Sequence, residues 1–153
     1  MSDLKLTIEL VPQGSFFNNV RAIVTKDEWD ILRHEAYQGA NYICEICGGK
    51  GDKWPVECHE IWEYDDIKHI QTLKGLTALC PNCHAVKHMG YSSISGNFSG
   101  ALSHFMSVNN LDKFEAARLV DKAFRLWKSR SEYNWTVDMT WLVNKVSTPM
   151  VKL

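Results

Sequence analysis

The sequence has no apolar run near the roughly 18–20 residues that a membrane-spanning helix needs, so no membrane association is expected. Its start lacks a basic segment followed by an apolar one, the pattern of a secretory signal, and we therefore expect a cytoplasmic protein. Positive charge is not in excess either, because 17 Lys and Arg stand against 18 Asp and Glu, for a net charge of −1. A strongly basic nucleic-acid-binding domain is thereby excluded, and any contact with nucleic acid must come from a local patch or a metal ion.

The length and composition predict one globular domain over residues 1–153. The hydrophobic share is 45% and the charged share 23%, both ordinary for a soluble protein with a real core. The chain has no internal repeat apart from two Cys-x-x-Cys pairs, and no linker that would demand a second domain.

The first third of the chain predicts a strand and a helix. Apolar and polar residues alternate over residues 4–11, which favours a strand. Thr25 and Glu28 have the spacing of a capping box, and the apolar residues that follow predict a helix to about Tyr37.

The last third is predicted to be a helical region over residues 101–148. Residues 91–100 are rich in Ser and Gly and predict a loop. Residues 111–130 carry apolar side chains at spacings of three and four, which predicts a long helix with Phe114 on its buried stripe. A short helix is predicted over residues 135–146.

The opposite face of the long helix carries Lys122 and Arg125. A basic helix face of this kind can contact a phosphate backbone. Acidic neighbours such as Asp121 dilute the charge, however, and favour an ordinary solvated face.

The strongest motif is the pair of Cys-x-x-Cys segments formed by Cys44, Cys47, Cys80 and Cys83. Two such turns from separate elements can surround one tetrahedral zinc ion with four thiolates. A redox pair or two disulfides are the alternatives, but a cytoplasmic setting and the lack of a thioredoxin-like pattern favour metal. We therefore predict a structural zinc.

A second group of potential ligands lies inside and just after this bracket. Cys58 and His59 lie in an extended stretch, and His84 and His88 have the i, i+4 spacing that places two imidazoles on one helix face. These four residues predict a second metal site, which is either open and catalytic or closed and structural. Alternatively, His84 or His88 is an ordinary surface residue.

Residues 56–59, Val-Glu-Cys-His, followed by Gly75-Leu-Thr-Ala-Leu-Cys-Pro-Asn-Cys-His84 and His88, resemble the HNH, or ββα-metal, endonuclease family of the four-cysteine type. The whole chain also resembles small uncharacterised bacterial or phage HNH-like proteins. The resemblance implies an α+β fold with a zinc-braced ββα-metal core over residues 42–90. The N-terminal strand and helix would pack on this core, and the C-terminal helices would cover it.

By position, the resemblance implies that His59 is the general base and that His84 and His88 hold a catalytic Mg, Mn, Ni or Zn ion. Cys58 would be a further ligand. The family's orienting Asn falls at Gly75, which has no side chain, and Gln71 is a candidate substitute.

Two acidic residues are candidates for hydrogen bonding to a ligand imidazole. Glu60 and Asp65 lie close to His59 in sequence and would fix the orientation of a ring N–H. The alternative for Asp65 is a role in a solvated turn.

The function expected from these observations is metal-dependent cleavage of phosphodiester bonds, with nucleic acid, and DNA in particular, as the partner. A homodimer would suit double-strand cutting. The competing interpretation is a catalytically inactive zinc-binding module that binds nucleic acid or a protein.

Overall fold

The computed structural model describes residues 3–16 and 18–146, which form an α+β fold of seven α-helices and one three-stranded mixed sheet. None of the described helices combines the length and apolar character that crossing a bilayer requires. In chain order, the elements are a 3-10 turn (Gln13–Ser15), α1 (Val20–Ile23), α2 (Lys26–Gly39), β1 (Glu57–Asp65), β2 (Ile70–Leu79), α3 (Pro81–Lys87), α4 (Met89–Ile94), α5 (Phe98–Asn109), α6 (Lys113–Arg130), β3 (Thr136–Asp138) and α7 (Thr140–Val143).

A β-hairpin followed at once by a helix forms the centre of the fold. Strands β1 and β2 pair antiparallel from Glu57 opposite Leu79 to Asp65 opposite Ile70, with a bulge beside Ile61. Cys80 follows β2 directly and caps α3, where Pro81 takes the first helical position. The order strand, strand, helix agrees with the ββα arrangement that the resemblance implies.

Helix α2 confirms the capping-box prediction. The Thr25 side chain accepts a hydrogen bond from the Glu28 backbone N–H, and the Glu28 carboxylate accepts one from the Thr25 backbone N–H. The reciprocal bonds satisfy two of the backbone donors that every helix start leaves unpaired. Leu32 is the buried anchor of this helix.

The predicted N-terminal strand over residues 4–11 is wrong, because the segment bends at Lys5 and Leu6 and pairs with none of the described strands. Two of its backbone N–H groups donate instead to Oδ1 of Asn109, whose Nδ2 donates to the Leu6 carbonyl. Lys87 fastens the segment to α3 by donating to Glu9 Oε2 at 2.6 Å. The alternating pattern therefore belongs to an irregular segment whose hydrogen-bond partners include side chains of helices.

The predicted loop over residues 91–100 is also wrong, since α4 and the start of α5 occupy most of it. Met89 and Ser92 are buried, and the Ser92 hydroxyl donates to the Ala85 carbonyl of α3 at 2.8 Å. Tertiary burial thus holds a Ser- and Gly-rich segment in a helical conformation.

The predicted long helix is confirmed as α6, which Asp112 caps in a second capping box. Phe114 is not in the core, however, because 80% of it is exposed. The predicted short helix over residues 135–146 is partly wrong: β3 comes first and pairs parallel with β2, and α7 covers only Thr140–Val143. Residues 147 and 148 of the predicted helical region lie outside the described residues.

Two hydrophobic clusters hold these elements around the hairpin. One includes Leu6, Leu79, Val86 and Phe105 and surrounds three of the four paired cysteines. The other includes Val20, Leu32, Leu73 and Leu142. The hairpin and α3 therefore lie between two packed regions, which fixes the positions of their side chains.

Candidate metal centres

The paired cysteines come together as one compact group, named the cysteine cluster below. The sulfur atoms of Cys44, Cys47, Cys80 and Cys83 all lie within 4.8 Å of one another. The Cys47 and Cys80 sulfurs are 3.6 Å apart. A tetrahedral zinc with Zn–S bonds of about 2.3 Å has sulfur–sulfur edges of about 3.8 Å, so the cluster is consistent with a structural zinc.

Each cysteine pair is shaped by a local turn. In the first, the Gly48 backbone N–H donates to the Cys44 carbonyl, and Gly48 takes the positive φ of 77° that favours glycine. In the second, the Cys80 sulfur accepts from the Cys83 backbone N–H at 3.3 Å, as a cap of α3. Both turns aim their sulfurs inward before any ion is considered.

The two turns also pack directly against each other at Gly51. A Cβ at Gly51 would collide with the Trp54 carbonyl oxygen and lie 2.6 Å from Cδ of Pro81. Only glycine allows this close approach, which brings the first cysteine turn against the start of α3.

Electrostatics favours a cation inside the cysteine cluster. A hydrogen bond from Cys83 lowers the pKa of Cys44 to about 4, and that bond together with burial raises the pKa of Cys83. Burial also raises the pKa of Cys80 to about 11. The protein thus stabilises one thiolate well but not four, and a divalent cation would supply the missing charge balance.

His104 was missed by the sequence analysis. Its Nε2 lies 3.2 Å from the Cys83 sulfur, from a position on α5 well beyond the second cysteine pair. A polar contact to a ligand sulfur tunes a metal site from outside its ligand shell. Nothing in the local sequence around His104 signals this contact, because it arises from helix packing.

A second group, named the histidine cluster below, consists of His59, His84 and His88. Their potential ligand nitrogens also lie within 4.8 Å of one another. Strand β1 supplies His59, α3 supplies His84, and His88 follows directly after α3. The two Nε2 atoms of His84 and His88 are 3.1 Å apart, and each of these rings lies 5.3 Å from the His59 ring, centroid to centroid.

His59 is buried without satisfying its polar atoms. It is 6% exposed, and among the described residues neither of its ring nitrogens has a hydrogen-bond partner. Buried imidazoles normally form at least one hydrogen bond, so these two ring nitrogens fit a site that binds an ion or a water molecule.

The three imidazoles suit a metal because the cluster disfavours protonation. Desolvation, followed by the neighbouring histidines, lowers the pKa of His59 to about 2 and that of His88 to about 4. Metal ions bind the neutral imidazole, so both rings are already in the binding form at neutral pH. The histidine triad could therefore hold a metal.

Glu57 fixes the orientation of His84. Its Oε1 lies 2.8 Å from Nδ1 of His84, and its Oε2 accepts a hydrogen bond of 2.8 Å from Nε1 of Trp54. The His84 contact lowers the pKa of Glu57, so the carboxylate is ionised and His84 carries its proton on Nδ1. In this orientation Nε2 of His84 faces Nε2 of His88, as in carboxylate–histidine–metal arrangements.

The acidic and amide residues chosen from the sequence take other positions. Glu60 accepts from the Val20 backbone N–H, and burial raises its pKa. Asp65 caps the exposed hairpin turn by accepting from two backbone N–H groups. Gln71 is buried opposite Tyr64 and accepts from the Ser15 hydroxyl. Glu57 was missed, although its position two residues before His59 on a strand predicts a shared face.

Cys58 lies outside the histidine cluster. Neighbouring residues on a strand point to opposite faces, so the thiol beside His59 faces away from it. Burial raises its pKa to about 12, which keeps it protonated. Gly75 pairs with Ile61 at the bulge, whereas Thr77 is the residue opposite His59.

A small cavity of about 20 Å³ opens beside the histidine cluster. Glu9, His59, Tyr64 and His88 contribute to its walls. It has room for about one water molecule. Lys122 and Arg125 lie apart as exposed residues of α6, and Arg125 pairs with Asp121 at 2.8 Å.

Comparison of the sequence with models of protein families gave no match, and neither did the searches of curated proteins and of solved structures.

Proposed function

We propose that the protein is a metal-dependent endonuclease that hydrolyses phosphodiester bonds in DNA, with the cysteine cluster as its structural zinc site. The observation that carries this proposal is the histidine cluster, in which the buried, unpaired His59 of β1 lies beside His84 of α3 and His88 at the end of that helix. The order β1, β2, α3 presents these side chains as the HNH resemblance implies.

The roles follow from the neighbours of each ring. His84 and His88 would hold the ion through the Nε2 atoms that converge at 3.1 Å. A divalent ion bound there would offset negative charge on the scissile phosphate and the leaving oxygen. His59, neutral at physiological pH, would accept a proton from the attacking water. Glu57 would hold His84 in the tautomer that leaves Nε2 free.

The small cavity beside His59 and His88 has room for about one water molecule and would hold the attacking water. With one centre in each chain, double-strand cutting would call for a homodimer, whereas nicking would not.

A plasmid-nicking assay with Mg²⁺, Mn²⁺, Ni²⁺ or Zn²⁺ tests the proposal. Loss of a general base typically costs about 10²- to 10⁴-fold in rate, so His59→Ala should cut at least about 100-fold more slowly than wild type. His69→Asn is the matched control, because His69 lies at the opposite end of the hairpin and has a φ of 57°, which asparagine tolerates. No cleavage with any metal, or equal cleavage by wild type and His59→Ala, would contradict the nuclease assignment.

A catalytically inactive zinc-binding module is the second candidate. It is favoured by the depth of His59, which is 6% exposed and whose low pKa makes it a weak base. In that case all three histidines would hold one ion in a closed coordination site, and the chain would bind nucleic acid or a protein without catalysing a reaction. Two metal ions per chain that resist chelation would support the module, whereas one tight zinc and one exchangeable ion would support the nuclease.

A further inference from the structure

An open groove reaches Glu57, the residue that contacts His84 of the histidine cluster. It has a volume of about 660 Å³, within the size range of ligand sites in proteins. Helix α2 forms one wall, and the segment before β1 forms the other. Most of its side chains are aromatic or polar, among them Arg33, Tyr37, Gln38, Tyr42 and Trp54, and Pro55 and Val56 are the aliphatic ones.

The aromatic rings of this groove offer free faces. Trp54 is 52% exposed and Tyr42 is 43% exposed. The indole N–H of Trp54 is already bonded to Glu57, so the ring is held in place while its surface stays open. Arg33 lies 5.9 Å from the Tyr37 ring centroid, and its Nε is paired with Asp30.

Hydrogen bonds through Trp54 and Glu57 link the groove to His84 of the histidine cluster. Trp54 donates to Glu57, and Glu57 contacts Nδ1 of His84, each at 2.8 Å. Both carboxylate oxygens of Glu57 are therefore engaged in hydrogen bonds. A molecule that stacks on Trp54 is therefore separated from the His84 ring by the side chains of Trp54 and Glu57.

We propose that this groove binds unpaired bases of single-stranded DNA next to the phosphate that reaches the histidine cluster, an inference that rests on the proposed nuclease function. Exposed aromatic rings stack on bases of any sequence, but only on bases that are out of a duplex. Gln38 and Arg33 supply groups that can hydrogen-bond to base edges. A chain with a net charge of −1 has little general attraction for duplex phosphates, so stacking provides the affinity.

Fluorescence anisotropy with a labelled single-stranded oligonucleotide tests this inference. The full-length, zinc-containing protein is titrated without added divalent ions, so that binding is measured separately from cleavage. Removal of one stacking ring should raise Kd by about 5- to 150-fold in Tyr42→Ala and in Trp54→Ala. Trp54→Phe keeps a ring but not the N–H, so it should bind with a Kd close to that of wild type.

Tyr91→Ala is the matched control, because Tyr91 is a 70% exposed tyrosine outside the groove. The Kd of Tyr91→Ala should equal that of wild type. The circular dichroism spectra of all the variants should also match the wild-type spectrum. Equal binding by wild type, Tyr42→Ala and Trp54→Ala would overturn the groove assignment. Tighter binding to a labelled blunt duplex of the same sequence than to the single strand would overturn it as well.

The two proposals fail separately. Groove-dependent binding of single strands without cleavage under any metal would overturn the nuclease and support the groove as a binding site. Cleavage that is unaffected by Tyr42→Ala and Trp54→Ala would support the nuclease and overturn the groove.

Discussion

Replacement of Glu57 by glutamine is expected to weaken divalent-metal binding at the histidine cluster by about 10- to 100-fold. The carboxylate accepts from both His84 Nδ1 and Trp54 Nε1, each at 2.8 Å. Glutamine has one acceptor oxygen, so its NH₂ group would face one of these two donors. The substitution removes the negative charge and one hydrogen bond, while the side-chain volume stays nearly the same.

The expected loss in affinity corresponds to about 1.4–2.7 kcal/mol. This range agrees with the roughly 1.5–3 kcal/mol of one hydrogen bond to a charged group. Isothermal calorimetry with Ni²⁺, a good ion for imidazole ligands, measures it directly on protein whose cysteine cluster retains zinc. Elemental analysis before each titration verifies the zinc content.

Glu63→Gln is the control for charge alone, since Glu63 is an exposed residue of the same strand. Its nickel affinity should match that of wild type. If Glu57→Gln and Glu63→Gln bind nickel equally tightly, Glu57 does not position His84, and the reasoning from the two hydrogen bonds is refuted.

Three further outcomes are expected. Cys80→Ser should lose both its zinc, measured by elemental analysis, and its cooperative thermal unfolding. Cys58→Ala is the control outside the cysteine cluster and should retain one zinc. Zinc retained in Cys80→Ser would contradict the four-sulfur site. Phe105 is 1% exposed, so Phe105→Ala should lower the free energy of unfolding, measured in guanidinium, by about 3–5 kcal/mol. Phe114 is 80% exposed, and Phe114→Ala should lower it by under about 0.5 kcal/mol. Similar losses in the two variants would contradict the placement of Phe105 in the core. The pKa of His88 is lowered to about 4 in the folded chain. Below about pH 6.5 the unfolded chain therefore binds a proton at this residue, whereas the folded chain does not. The free energy of unfolding should fall as the pH drops from 7 to 5. The fall should be about 2 kcal/mol smaller in His88→Gln, and equal pH dependence would contradict this assignment.

The features that the sequence predicts well depend on residues close together in the chain. The Thr25 capping box predicts the start of α2 because both partners lie within one helical turn. The two Cys-x-x-Cys turns predict converging sulfurs for the same reason, since each turn shapes itself. The spacing of His84 and His88 likewise places two Nε2 atoms 3.1 Å apart.

The features that it predicts poorly depend on distant partners. Residues 4–11 have the alternation of a strand, but the backbone bonds go to Asn109, about a hundred positions away. Phe114 shares a periodic stripe with buried residues, yet periodicity cannot tell where along the helix the core ends. Ser92 is held in a helix by burial, against its local preference.

The candidate site shows the same division. The histidine cluster follows from its ligand spacing, whereas the residues that orient it do not. Gln71 and Asp65 were chosen for their chemistry and their nearness in sequence, but the former bonds to Ser15 and the latter caps a turn. Glu57 and His104 make the relevant contacts because of strand pairing and helix packing.

The cysteine cluster also has a consequence for how the chain folds. It joins Cys47 to Cys80, which are 33 positions apart, and the whole β1–β2 hairpin lies within the loop so closed. Closing a flexible loop of this length costs about 3 kcal/mol of chain entropy. If the four thiolates bind zinc before the strands pair, the binding free energy offsets this loss of chain entropy. The only large step left for the hairpin would then be formation of its turn. Zinc should therefore accelerate folding as well as stabilise the folded chain. The histidine cluster would form last, after zinc in the cysteine cluster has closed the loop that contains the hairpin.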